Sequence, residues 1–194
     1  MAKRLFDLCG AAVALLLLAP LLLGVALAIR LDSPGPVFFR QVRVGRGGAL
    51  FRIHKFRSMQ VDAPAQGPKV TVGRDPRITR MGHWLRHYRV DELPQFIDVL
   101  FGQMSLVGPR PEVPHFVAHY PPAIAAQVLA VRPGITDPAS LAHLDEAALL
   151  AAASDPEREY IDHILPRKLA LQAEYARTAT LRSDLAVLAR TLGV

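Results

Sequence analysis

Cysteine is almost missing from this 194-residue chain: Cys9 stands alone. No disulfide can form within the chain, and a reducing compartment suits it. Aromatic residues make up only 7% of the sequence, and Arg and Lys nowhere line up at helical spacing, which speaks against a nucleic-acid partner. No repeat or low-complexity tract interrupts the chain, and its length fits one ordinary domain or one domain with an attachment. The most telling absence is charge between Leu8 and Ile29.

That uncharged run is long enough to cross a bilayer as a helix, for which ~20 residues suffice. Three readings compete for it. A cleaved secretory signal fits the basic start (Lys3, Arg4) and the Ala26-Leu27-Ala28 triplet, but the run exceeds the usual apolar centre of such a signal. A straight spanning helix is disturbed by Pro20, which removes a backbone hydrogen bond near the middle and predicts a kink. Both flanks are basic, with Lys3 and Arg4 before the run and Arg30, Arg40, Arg43 and Arg46 after it. Both ends therefore ask for the cytoplasmic side, which a helix that enters, breaks at Pro20 and returns would satisfy.

What the chain has in excess is positive charge in one place. Of the net +6, residues 30–110 hold 14 Lys and Arg against six Asp and Glu, while residues 111–194 are net acidic. A central segment this basic wants an anionic partner such as acidic lipid or a phosphorylated substrate. Ser33-Pro34-Gly35-Pro36 reads as a rigid exit from the apolar run. Val37–Phe39 and Ala49–Ile53 read as strands of a hairpin around Gly45-Arg46-Gly47-Gly48. In Lys55-Phe56-Arg57 a strand would set both cations on one face and the ring on the other. His54 has no partner at metal-ligand spacing and reads as structural. Val61–Gly73 reads as a mobile loop, and an amphipathic helix is expected around Trp84 and Leu85.

The stretch Asp91-Glu92-Leu93-Pro94-Gln95 then sets two carboxylates ahead of Leu93, Phe96, Ile97, Leu100 and Phe101, the spacing of one helical face. With Pro94 allowed only in a first turn, Asp91 is predicted as the N-cap and Glu92 as a first-turn acid. Adjacent helical residues diverge by about 100°, so one metal can be shared only across a distorted turn or through water. Further on, Pro109 and Pro111 clamp Arg110, whose planar fork suits a phosphate, and Arg132-Pro133 repeats the idea.

These pieces stand in a recognisable order: Ser33–Phe38, Arg40-Gln41, Lys55–Met59, Asp75-x-Arg77–Arg80, Asp91–Gln95, Ser105–Pro111 and Arg132–Thr136. Over about residues 2–140 the chain resembles the bacterial sugar transferases, and within them the small monotopic phosphoglycosyl transferases. The resemblance implies a helix-rich α/β fold with one re-entrant N-terminal helix and interfacial amphipathic helices. It implies transfer of a sugar-1-phosphate from a UDP-sugar to undecaprenyl (polyprenyl) phosphate, with Mg²⁺ and release of UMP, at the cytoplasmic face of the bacterial inner membrane. Asp91 matches the family's nucleophile, which carries the sugar phosphate covalently, and Glu92 the neighbouring acid at the metal or in proton handling. Arg110 is assigned to a phosphate and Glu112 to the metal or sugar side, with Lys55, Arg57, Arg86 and Arg132 as further phosphate or uridine contacts. The family's helix break usually follows a Ser; here Ala19 precedes Pro20.

The expected organisation is a re-entrant helix over 1–31, a catalytic unit over 32–140 and a helical extension over 141–194 that wraps the catalytic unit or forms a homodimer contact. In the extension, Asp145–Ala153 is predicted as a helix, Asp155-Pro156 as the start of a second, and Ser183-Asp184 as the cap of a last one. The rival reading is a non-catalytic scaffold whose basic face binds acidic lipids.

Overall fold

The computed structural model describes residues 1–63, 75–142 and 146–193. The predicted loop 61–73 lies mostly outside those residues. The fold is helix-rich α/β with an apolar helix at its N-terminus.

Helix α1, Ala2–Asp32, is assigned continuously through Pro20. It is long and apolar enough to cross a membrane, with a mean hydropathy of 2.8 over its most apolar stretch. At 31 residues it would measure about 46 Å if straight. Both of its ends nevertheless pack on the same body. Near the start, Asp7 accepts hydrogen bonds from the Ser105 hydroxyl and the Leu106 amide, and Ala11 is buried among Phe51, Val99 and Leu106. Near the end, Val25 and Ile29 are buried with Phe56, Leu85 and Val90. Between these contacts Leu16, Leu17 and Leu23 are more than 70% exposed, an apolar surface that water does not favour.

The expected hairpin forms. β1 (Phe38–Val44) pairs antiparallel with β2 (Leu50–Phe56), with Arg40 opposite His54 and Phe39 opposite Lys55. The connection is a 3₁₀ turn in which Gly47 and Gly48 take φ of 67° and 80°, values that side chains resist. Helix α2 (Arg80–His87) follows, capped by the Thr79 hydroxyl. It lies hard against residue 58: a Cβ at Gly82 would come within 1.9 Å of the Ser58 carbonyl oxygen. Helix α3 is short, Gln95–Leu100. Its buried face is Gln95, Asp98 and Val99, whereas Phe101 just beyond it is 70% exposed. The predicted apolar stripe thus does not point wholly inward; tertiary contacts to Asp98 override the sequence pattern.

Strands β3 (Ser105–Val107) and β4 (Gly134–Thr136) pair in parallel, Ser105 with Gly134 and Val107 with Thr136. This pairing brings the Pro109–Pro111 segment beside Arg132-Pro133. The chains meet so closely that a Cβ at Gly134 would fall 2.0 Å from the Gly108 nitrogen. Short helices α4 (Pro114–Val117), α5 (Pro122–Val128) and α6 (Pro138–Leu141) each begin with proline, whose fixed φ suits a first turn.

The C-terminal part contains α7 (Glu146–Ala152), α8 (Pro156–Glu159), a π-helical stretch over Tyr160–Ile164, α9 (Leu165–Thr178) and α10 (Leu181–Leu192). Asp155 caps α8 as expected. The last cap is Thr180 rather than Ser183-Asp184: Thr180 and Ser183 form a capping box. Asp184 instead lies fully buried, bonded to Lys3 and the Tyr175 hydroxyl. The last helix thereby reaches back to the first.

Candidate active site

Asp91 is not a helix N-cap. The backbone turns left-handed at Arg89 (φ 53°), and Val90–Glu92 forms a 3₁₀ turn ahead of α3, whose N-cap is Pro94. An Asp followed two residues later by Leu93-Pro94 gives a second local solution that the cap rule does not separate from the first. The tight turn puts both carboxylates within reach of one cation. The Lys55 ammonium lies 2.8 Å from Asp91 Oδ2 and 3.3 Å from Glu92 Oε1. Lys55 is delivered by the last turn of β2, where Phe56 on the opposite face is buried in the core.

Arg110 closes the other side of Glu92, donating from Nη1 to Oε2 at 2.9 Å and from Nη2 to Oε1. This is the two-point fork that arginine forms with a carboxylate or phosphate. Burial pushes the Glu92 carboxyl up, but Arg110 and Lys55 more than offset it and hold the group far below the usual carboxylate range. Glu92 in turn raises the Arg110 guanidinium above its ordinary value against the effect of burial. Arg86 donates to the Ser58 hydroxyl at 2.9 Å; burial lowers its pKa, opposed by the charges of Asp91 and Asp75. Asp91, Glu92, Lys55, Arg86 and Arg110 therefore share one electrostatic neighbourhood.

The other candidates stand elsewhere. Arg57 lies beyond the end of β2 and does not continue the Lys55 face. Its Nε, Nη1 and Nη2 donate to the carbonyls of Pro36, Pro34 and Ser33, and it is 4% exposed. It braces the exit from α1. Arg132 donates to the Gly102 carbonyl at 2.9 Å, at the opposite end of α3 from the acid pair, where Arg4 also reaches the Leu100 carbonyl. Both cations suit a helix C-terminus. Glu112 accepts a hydrogen bond from the Tyr160 hydroxyl at 2.5 Å and lies 3.6 Å from Lys168 and 3.8 Å from Arg43.

Sequence reasoning missed three fully buried aspartates. Asp98 binds His54 through both the backbone amide (2.8 Å) and the ring (2.6 Å), which gives the structural His54 its partner. Asp137 accepts from the Arg110 amide at 3.2 Å, the Ser140 amide at 2.7 Å and the Gln172 side chain at 2.8 Å. Asp7 anchors α1. The Asp137-Pro138 pair is a readable cap signal; the other two leave no local trace. Among the described residues no three His, Cys, Asp or Glu side chains gather as a ready metal cage. The adjoining carboxylates of Asp91 and Glu92 are the donors the site offers.

The bacterial sugar transferase model matches residues 1–194, so the likeness continues through the C-terminal extension, beyond the 2–140 carried by the motifs. A UDP-N-acetylgalactosamine-undecaprenyl-phosphate N-acetylgalactosaminephosphotransferase of Aeromonas hydrophila is 44% identical over 83% of this chain and 37% of its own length. A UDP-glucose:undecaprenyl-phosphate glucose-1-phosphate transferase of Caulobacter vibrioides is 40% identical over 98% of this chain and 68% of its own. The transferase so named from Escherichia coli K12 is 48% identical over 69% of this chain but only 29% of its own. This chain thus spans between about a third and two-thirds of the length of these relatives. Taken with the site geometry, the match has a plain consequence: the chain belongs to the bacterial sugar transferase family.

Proposed function

We propose that this chain transfers a sugar-1-phosphate from a UDP-sugar to a polyprenyl phosphate and releases UMP. One observation carries the reading. A buried carboxylate, Asp91, pairs with Lys55 and feels the charge of Arg86, and it adjoins Val90, which is buried in one cluster with Val25 and Ile29 of α1. A reactive acid beside two cations, held against the chain's apolar helix, is where a lipid-borne phosphate and a sugar nucleotide would have to meet. The printed names of the relatives point to the same pair of substrates.

In the proposed reaction an Asp91 carboxylate oxygen attacks the phosphorus that bears the sugar. An oxygen–phosphorus bond forms, the bond from that phosphorus to the bridging oxygen breaks, and its electron pair leaves with UMP. A polyprenyl phosphate oxygen then attacks the same phosphorus. The aspartyl–phosphorus bond breaks, Asp91 is restored, and the sugar ends on a lipid diphosphate. Covalent transfer splits one difficult displacement into two. The work left to the protein is positioning and charge neutralisation. Lys55 holds the attacking carboxylate, Arg86 adds positive charge to its surroundings, and Arg110 fixes Glu92 beside it.

Mg²⁺ belongs to the proposal. Two adjoining carboxylates are too few for an all-protein cage, but Mg²⁺ is commonly held by one or two carboxylates together with substrate phosphates. Asp91 and Glu92 fit that habit, and the ion would supply neutralisation of diphosphate charge.

The reading also places α1 as a re-entrant helix that dips into one leaflet, with the active site on the cytoplasmic face. Its support is the docking of both ends of α1 on one body while the middle stays apolar and exposed. Leu100 and Phe101, exposed at the end of α3, would add interfacial contact. The test is a panel of UDP-sugars with undecaprenyl phosphate, scored by UMP release. Release with at least one sugar is expected. Silence across the panel would favour a scaffold that only binds acidic lipid.

A further inference from the structure

The C-terminal extension reads as a wrap until its polar contacts are followed along α9. Tyr175, Gln172 and Lys168 recur at spacings of three and four, so they share one face of the helix. All three are buried. From Tyr175 back to Lys168 they meet, in ascending order, successive points of the chain from the last residue of β3 onward. The Tyr175 hydroxyl donates to the Val107 carbonyl at 3.1 Å. The Gln172 amide donates to Asp137, whose same oxygen takes the Arg110 backbone N–H. Lys168 and the Tyr160 hydroxyl, two turns earlier, meet Glu112. A polar stripe on one helix thus fixes residues 107, 110 and 112. An interior stripe kept for packing alone would be apolar, since each buried polar group costs free energy unless paired.

We propose that α9 is part of the catalytic apparatus at one remove: Gln172, through Asp137, sets the backbone of Arg110 so that its fork meets Glu92. Gln172 is a positioning residue, with Tyr160 and Lys168 holding the far side of the same segment. The inference rests on the phosphoglycosyl transfer proposed above and extends it to a helix to which that reading gives no role.

The experiment is a double-mutant cycle of Gln172→Leu with Arg110→Lys, scored as kcat and KM for the UDP-sugar the wild-type protein uses best. Gln172→Leu should lower kcat about tenfold with little change in KM, and in the Arg110→Lys background it should cost less than about twofold, because both changes act through the same fork. A simple loss of packing would give costs that multiply. Tyr160→Phe, which removes only a hydroxyl, serves if Gln172→Leu fails to fold; it should lower kcat and show the same non-additivity. Glu174→Gln, on the exposed side of α9, should leave turnover unchanged. Unaltered kcat in a folded Gln172→Leu or Tyr160→Phe protein, or costs that multiply in the cycle, would overturn the positioning role while leaving the reaction intact. A wild-type protein that releases UMP from no UDP-sugar would instead remove the reaction, and this inference with it.

Discussion

Two glutamates flank the proline-braced arginine in space, and they are held in opposite ways. Glu92 is gripped by two cations, Lys55 and Arg110, whose side chains remain 24% and 28% exposed. Glu112 takes its shortest contact from a neutral hydroxyl, that of Tyr160, with Lys168, itself only 10% exposed, at 3.6 Å and Arg43 at 3.8 Å. Burial, and then Glu112 itself, push the Tyr160 hydroxyl above its usual pKa, so it stays a donor to the carboxylate. Charge held by partly open charge is exchangeable: an incoming phosphate can take over part of the arginine or lysine. Charge plugged by a hydroxyl beneath a helix is a fixture. On the proposed reaction the first cluster would serve turnover and the second would hold shape.

The largest effect that would break this contrast is at Asp91. Asp91→Asn should reduce UMP release by about 10³-fold or more while the protein still folds, as replacing a covalent nucleophile does; turnover assays beside thermal melts check it. Next comes Glu112→Ala, which takes the shared carboxylate from Tyr160, Lys168 and Arg43 and leaves Lys168 with Glu146 and Arg43 with Gln41 and the Pro111 carbonyl. Breaking a buried pair from one side costs about 3–5 kcal/mol, so stability rather than chemistry should fall first, seen as a lower denaturant midpoint. Arg110→Lys should show the converse, a loss of about 10–100-fold in kcat with a small change in melting temperature, because lysine keeps the charge and loses the fork.

The smallest effect is in pH dependence. The Glu92 carboxyl is depressed in the folded state relative to the unfolded chain. Its stabilisation is therefore complete above the ordinary carboxylate pKa, about 4.3, and is lost as pH falls through that value toward the folded one. Glu92→Gln should flatten the decline in melting temperature below about pH 4.5. An unchanged slope would mean that Lys55 and Arg110 do not hold this carboxylate.

Local rules read the hairpin, the helix around Trp84 and Leu85 and the Asp155-Pro156 cap correctly, because each is decided by residues near one another in sequence. The acid pair stood out in the sequence, but its turn did not: the left-handed residue at Arg89 and the 3₁₀ geometry come with the burial of Val90 in a cluster that includes Val25 and Ile29, far away in the chain. The face of Arg57 was misread because β2 ends at Phe56 and the guanidinium turns to carbonyls 21 to 24 residues earlier. The α9 stripe was invisible for a simpler reason. Its partners lie between 35 and 68 residues away in sequence, and no periodicity within the helix reveals them.

The central claim is that the carboxylate at position 91 becomes bonded to phosphorus. Incubating the protein with a UDP-sugar and no lipid acceptor, then weighing it intact and mapping the modified peptide, measures this directly. The expected result is a mass gain of one sugar phosphate on Asp91 that disappears when polyprenyl phosphate is added. An unmodified Asp91 under conditions where the full reaction runs would contradict the covalent mechanism.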